Sequence, residues 1–284
     1  MLYTGLYINL DSSRDRRKRM EAELSSFGLT DKYQRFEAIR GDGTKEQSQT
    51  ALPGGQLGCW HSHLAVWRLA AGKGSHLHVL EDDAALSPLL PRVLETLELD
   101  ESSWDLIFTD VYFHPPPTPE QFAQLCSARE AFLREQRISL IDLRQLAFTG
   151  TTSYLVNQRS LPRLFELLQG GWQSNRTIDV VLQQLIRRGE LRARLAFPFL
   201  STIASESEHS TAGMQGPAIR ALDAFRKAWF YSVDPDAIRR KTIACDCQAS
   251  SNPLLELYLN CLRSVLGTLL QSGHESGATL AVNK

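Results

Sequence analysis

The apolar run His76-Leu77-His78-Val79-Leu80 passes directly into three consecutive acids, Glu81-Asp82-Asp83. No other segment limits the possible fold as strongly. The run reads as a short buried strand. Three adjacent carboxylates repel one another unless water or a cation offsets their charge, so the strand has to end at a wet or ligand-bearing face. Alternation along a strand puts Glu81 and Asp83 on one side and Asp82 on the other. Such an acid-x-acid pair of hard oxygen donors suits Mg²⁺ or Mn²⁺ carrying a diphosphate. A solvated acidic turn ahead of a helix around Pro88 accounts for the same residues without a ligand.

The segments on either side predict alternating strands and helices. Leu6, Ile8 and Leu10 alternate with Tyr7 and Asn9, which predicts a strand over 2–10. Ser12, with Asp15 three positions on, resembles a capping box opening a helix in which Met20, Leu24 and Phe27 share a face before Gly28 stops it. A strand, a polar turn and a helix at the start suggest a nucleotide-binding α/β sheet, whose ligands sit at the carboxyl ends of the strands. Residues 40–58 read as a loop, and Trp60, Leu64, Trp67 and Ala71 mark a helix that Gly72 and Gly74 end. Trp104 to Thr109 is a strand candidate; the proline-rich stretch from His114 to Pro119 and the charged helical segment 120–137 after it read as a lid or insertion. Thr151 to Val156 predicts a strand, Ser160 a helix start, and Thr177 the cap of a helix with Asp179 in its first turn, where the helix dipole favours a carboxylate. Residues 191–200 form the last strand candidate. Beyond Gly213 the pattern is helical over 219–231 and 254–270, with a Gly/Ser-rich tail from Ser272. The expected organisation is one domain over 1–213 and a helical extension over 214–284 with a frayed tail.

Charge and cysteine usage remove several function classes. Lys+Arg total 31 against 32 Asp+Glu, so no global field draws the chain to nucleic acid or an anionic membrane. The basic run Arg14, Arg16, Arg17, Lys18 and Arg19 wraps around a helix and reads mostly as a solvated face, although Arg14 and Arg17 share a side near the strand end and could reach a phosphate. No stretch reaches the roughly 18 apolar residues of a membrane span, and an apolar-then-basic N-terminus is the reverse of a secretory signal. Five scattered cysteines point to reduced thiols and a cytoplasmic setting. Cys245-x-Cys247 has no second pair to complete a zinc site. His61 and His63, two apart on a helix, face different ways; His76 and His78 share a strand face, and all four read as hydrogen-bonded imidazoles.

Four motifs in order, Tyr7-Ile8-Asn9-Leu10-Asp11 with Arg14 and Arg17, Gly58-Cys59 with Ser62-His63 and Trp67, Leu80-Glu81-Asp82-Asp83, and Gly150-Thr151 with Tyr154-Leu155, resemble the signature of glycosyltransferase family 25. That family includes lipooligosaccharide and collagen galactosyltransferases, and the resemblance covers roughly residues 2–210. It implies an α/β fold of the GT-A type, a Rossmann-like nucleotide-sugar-binding domain, with a UDP-sugar donor (usually UDP-galactose), Mn²⁺ or Mg²⁺, and inversion at the anomeric carbon. By the same resemblance Asp83 ligates the metal, while Glu81 and Asp82 place metal, ribose or sugar. Asn9, Leu10, Arg14 and Arg17 border the uridine diphosphate. His209 supplies a second metal ligand or phosphate contact. Asp179 falls where the family carries a late acid and becomes the general base, although Thr177-Ile178-Asp179-Val180 stands where Pro-Val-Asp-Glu-like residues are common. Asp110 and Glu206 are the next candidates for that role.

The expected acceptor is a hydroxyl of a glycan, lipooligosaccharide or protein. The competing readings are a metal-dependent phosphohydrolase of nucleotide sugars and a binding scaffold that keeps the fold without catalysis. In the C-terminal helix, Leu254, Leu257, Tyr258, Cys261, Val265, Leu266 and Leu269 recur at helical spacing and demand a burial partner. Packing on the protein itself is the simplest reading; a homodimer or peripheral contact with the inner membrane are the alternatives, the last disfavoured by few Lys or Arg on the polar side.

Overall fold

The computed structural model describes residues 1–204, 217–231, 234–246 and 252–273. The chain divides into two compact units, Met1–Gly213 and Met214–Lys284.

In the first unit, β1 (Tyr3–Asn9) leads through α1 (Arg14–Ser26) to β2 (Tyr33–Glu37), and α2 (Gly54–Ala70) leads to β3 (His76–Glu81). β2 and β3 lie on opposite sides of β1, and both pair with it in parallel. The strand order therefore reverses at β1, the kind of position where open α/β sheets hold ligands beyond their carboxyl ends. Ile8 is the register partner of Glu81, so the ends of β1 and β3 stand side by side.

Next come β4 (Ala84–Leu86), α3 (Leu90–Thr96), β5 (Leu106–Phe108), α4 (Pro119–Glu135), β6 (Ser139–Asp142), β7 (Ser153–Val156), α5 (Leu161–Leu168), α6 (Ile178–Arg187), β8 (Ala193–Phe197) and β9 (Ser201–Ile203). The main sheet has seven strands in the order β2-β1-β3-β7-β5-β8-β6, and β4 pairs with β9 separately. β7 runs antiparallel to β3 and β5, which makes the sheet mixed. The result is the α/β, Rossmann-like fold expected from the opening strand-turn-helix.

Several local expectations change. α1 starts one residue later than expected, at N-cap Ser13 with no side-chain cap, because the Ser12 hydroxyl accepts from Arg40 instead (3.1 Å). α2 begins at Gly54, inside the expected loop. Its glycines press against the chain at 39–42: a Cβ on Gly58 would stand 2.4 Å from the Ile39 carbonyl oxygen and 2.9 Å from the Gly41 nitrogen. Ser62 then accepts the Ile39 N–H (2.8 Å) and donates to the Gly58 carbonyl (2.7 Å). The segment expected as a lid or insertion is α4, opened by a Thr118–Gln121 capping box, with Leu125 and Phe132 buried and the helix packed against β8.

A polar chain crosses the sheet interior. Tyr33 Oη meets His78 Nδ1, His78 Nε2 meets Ser153 Oγ, and Thr109 Oγ1 bonds both Ser153 Oγ and Ser201 Oγ. His78 is fully buried, and burial pushes its imidazole pKa down to about 3.

The second unit contains α7 (Pro217–Ala228), α8 (Pro235–Asp246) and α9 (Pro253–Gly273), each packed on the other two. α9 buries Leu255, Tyr258, Leu259, Leu262, Val265 and Leu266. The expected stripe was thus rotated: Leu257 is exposed, Leu254 and Cys261 are half-buried, and the Leu269 side chain lies outside the described residues. α7 and α8 supply the burial partner, with Phe225 stacked near Tyr258 (centroids 6.0 Å apart). Cys247 also lies outside the described residues.

Two predictions follow from these contacts. In Gly58→Ala the Cβ meets backbone on the 39–41 segment, so unfolding free energy should fall by about 1–3 kcal/mol, measured by urea denaturation. For His78, the folded pKa lies below the unfolded one, so its contribution is intact above pH ~6.5 and erodes as pH falls toward 3, by up to ~1.4 kcal/mol per pH unit. His78→Gln should therefore show a shallower acid-side loss of stability than the parent.

Candidate active site

The site forms where β1 and β3 end. The β3–β7 register pairs Leu80 with Ser153, and the Glu81 N–H donates to the Thr152 carbonyl (2.8 Å). This carries Gly150-Thr151 past the acidic turn. The Thr151 hydroxyl donates to Glu81 Oε1 (2.7 Å), and the Gly150 N–H donates to Asp179 Oδ2 (2.8 Å). One short segment thereby orients two carboxylates from separate elements.

Asp179 sits in the first turn of α6 because the residues before it are pinned to α2. The Trp60 indole N–H donates to the Arg176 carbonyl (2.8 Å), and Gly171 leaves room for the Trp60 ring, which a Cβ would strike at 2.5 Å. Asn175, in a left-handed turn (φ 56°), accepts from the Ala51 N–H and the Thr50 hydroxyl.

Asp82 points the other way, as alternation implies. Its carboxylate accepts from Asn9 Nδ2 (2.8 Å) and Arg16 (3.1 Å), and Arg19 donates to its carbonyl (2.7 Å). Asn9 Oδ1 in turn accepts from Arg35 (3.0 Å). Asn9 and Asp82 thus lash β1, the acidic turn and α1 together. Leu10 is half-buried at the turn, its carbonyl accepting from the Ser13 N–H. The arginines that reach the acidic turn are Arg16 and Arg19 rather than Arg14 and Arg17. Arg14 is exposed, and Arg17 bonds Glu21 (2.8 Å), which also accepts from Tyr7. Arg16 and Arg19, three positions apart, share the side of α1 that faces the acidic turn.

Asp83 follows Asp82, its carbonyl accepting from the Ala204 N–H (2.8 Å). Burial, then the charges of Glu81, Asp179 and Asp83, push the Cys59 thiol well above its usual range, partly relieved by Thr151. Cys59 therefore lies within the electrostatic reach of all three acids. His63, one turn further along α2, is buried; its Nδ1 bonds Tyr154 Oη (2.7 Å), and its Nε2 lies 3.4 Å from Glu81 Oε1. Tyr154 Oη also accepts from Trp67 (3.0 Å). One ligand atom each from Cys59, His63 and Glu81 lies within 4.8 Å of the others.

Cys59 and His63 are site residues that the two-residue spacing of His61 and His63 does not reveal. The usable signal was the four-residue spacing of Cys59 and His63, which puts both on one helix face. Asp110 is buried after β5. Glu206 and His209 lie outside the described residues.

Among the described residues no helix is long and apolar enough to cross a membrane. No curated protein matches the sequence. Among solved structures, a glycosyltransferase involved in glycosylation of the major capsid of PBCV-1 matches at 10% identity and TM-score 0.34, over 59% of this chain and 66% of that one, just under two thirds of its length. A protein assigned as a glucose-1-phosphate thymidylyltransferase from Bacillus anthracis, in complex with sucrose, matches at 9% identity and TM-score 0.34, over 89% and 99%. The family model of glycosyltransferase family 25 (LPS biosynthesis protein) matches residues 4–179, a span that runs from β1 to Asp179 and takes in every residue of the cluster just described; the chain belongs to that family.

Proposed function

We propose that the protein transfers a sugar, galactose first among candidates, from a UDP-sugar to an acceptor hydroxyl with inversion and with help from a divalent metal. The observation that supports this is that adjacent residues Gly150 and Thr151 hold Asp179 and Glu81 together beside the acidic turn at the carboxyl ends of β1 and β3. The acceptor is a hydroxyl of a glycan, of the lipopolysaccharide type named in the family's description, or of a protein.

Mn²⁺ or Mg²⁺ fits this site on the chemistry of the donors: carboxylate oxygens are hard ligands, and Glu81, Asp179 and Asp83 add to burial in raising the Cys59 thiol, which puts their negative charge where a cation could offset it. Asp83 would hold it. When bound, such a metal neutralises charge growing on a leaving diphosphate. Asp179, oriented by the Gly150 N–H, takes the proton of the acceptor hydroxyl as that oxygen bonds to the anomeric carbon and the bond to UDP breaks. Asn9, Asp82, Arg16 and Arg19 keep the acidic turn in place, and Arg14, on the exposed start of α1, remains available to phosphate.

Incubation with a panel of UDP-sugars, Mn²⁺ and glycan acceptors should give UDP release that depends on acceptor; release independent of acceptor would favour the phosphohydrolase reading. Asp83→Ala should abolish the Mn²⁺-dependent part of UDP affinity in calorimetric titration, with far-UV circular dichroism unchanged. Asp179→Asn should keep UDP affinity and lose transfer by about 10²- to 10⁴-fold; near-normal turnover would move the base to another residue.

A further inference from the structure

Cys59 and His63 form a site of a different character from the hard carboxylates beside them. They lie four residues apart on α2 and so share a face, and that face meets the end of β3 at Glu81. His63 is 1% exposed, and its Nε2 makes no hydrogen bond among the described residues. The nitrogen stands 3.4 Å from Glu81 Oε1. That separation is longer than an ordinary N–H···O contact. It equals the edge of a tetrahedron whose centre lies about 2.1 Å from each ligand, which gives about 3.4 Å between two ligands of a Zn²⁺ ion. The other ring nitrogen is occupied: Nδ1 bonds the Tyr154 hydroxyl, which Trp67 also engages. This is the outer-sphere arrangement that fixes ring orientation in metal-binding histidines.

We infer that Cys59 Sγ, His63 Nε2 and a Glu81 carboxylate oxygen form a three-ligand site for Zn²⁺, with the fourth position left to water or an incoming ligand. The thiolate and imidazole select a softer ion than the Mg²⁺ or Mn²⁺ suited to Asp83. Coordination replaces the proton on Cys59 Sγ, which is released to solvent, so binding strengthens as pH rises. The neighbouring acids that raise the thiol pKa, Glu81, Asp179 and Asp83, also supply the negative field that draws a dication in. Thr151, bonded to Glu81, holds the carboxylate toward the helix.

The test uses full-length, metal-stripped protein without any sugar donor, so its outcome stands apart from that of the transfer assays. Co²⁺ serves as the optical probe and Zn²⁺ as its competitor. The parent should bind one Co²⁺ that Zn²⁺ displaces, with the intense visible bands of tetrahedral Co²⁺ and a near-ultraviolet thiolate-to-cobalt charge-transfer band. Cys59→Ser should lose the charge-transfer band, and His63→Gln should weaken binding at least tenfold. Tyr154→Phe, which keeps all three ligands, should weaken it by about 10- to 100-fold. Two results overturn the inference: a folded parent with only the weak bands of octahedral Co²⁺, or a charge-transfer band that survives in Cys59→Ser. Circular dichroism of each variant separates loss of a ligand from loss of fold, and Glu81→Gln gives an independent check at the third ligand.

Discussion

The hydrogen-bonded register between β3 and β7 determines where the acids of the site stand. Leu80 opposite Ser153 brings the Thr152 carbonyl to the Glu81 N–H, and the two residues before it then reach Glu81 and Asp179 in turn. A slip of one residue would reverse the faces of β7, remove Tyr154 from His63 and Trp67, and leave Asp179 without its backbone donor. Because β7 is antiparallel within an otherwise Rossmann-like sheet, its start rather than its end lies beside the carboxyl ends of β1 and β3. The loop that enters β7 can therefore contribute to the site as directly as the loops that leave the parallel strands.

The same logic assigns α2 its unusual composition. Gly58 allows backbone to touch backbone at 39–41, Ser62 fastens that contact, Trp60 fixes the start of α6, and His63 and Trp67 meet Tyr154. One helix thus measures the distance between the acids of β3 and the acid of α6. Residues that look like a catalytic motif in sequence are here largely spacers and clamps. Cys59 and His63 are the pair whose polar atoms face the cluster itself.

The parts legible in the sequence were those with strong periodicity or long runs: β1, α2, β3, β7 and the helices beginning near Ser160 and Thr177. β2 was missed because only Tyr33 of its five residues is fully buried, so no alternation shows. β4, β6 and β9 have three or four residues each, too short for a period to register. The start of α1 lies one residue further on than the sequence implies because Ser12 bonds Arg40, a contact separated by 28 positions that no local pattern reveals. In α9 the stripe was displaced because leucines occupy five of the ten positions from Pro253 to Leu262 and point to more than one face, and only the packing of α7 and α8 distinguishes Leu255 from Leu257. The carboxylates were legible because three adjacent acids after a buried strand need an explanation. The soft donors beside them are a single cysteine and a single histidine whose four-residue spacing places them on one helix face but does not show which element that face meets.

The polar chain through the sheet has a consequence for how this sequence can vary. A neutral imidazole donates from one nitrogen and accepts at the other, so the tautomer of His78 sets the direction in which the hydroxyls of Tyr33, Ser153, Thr109 and Ser201 point. Replacing one member by an apolar residue strands a neighbour that has no water to turn to, whereas replacing adjacent members together can leave a dry, well-packed interior. These five positions, spread over 168 residues between Tyr33 and Ser201, should therefore change in groups among related chains, with a correlation that reflects the ordering of protons and is independent of any role in sugar transfer.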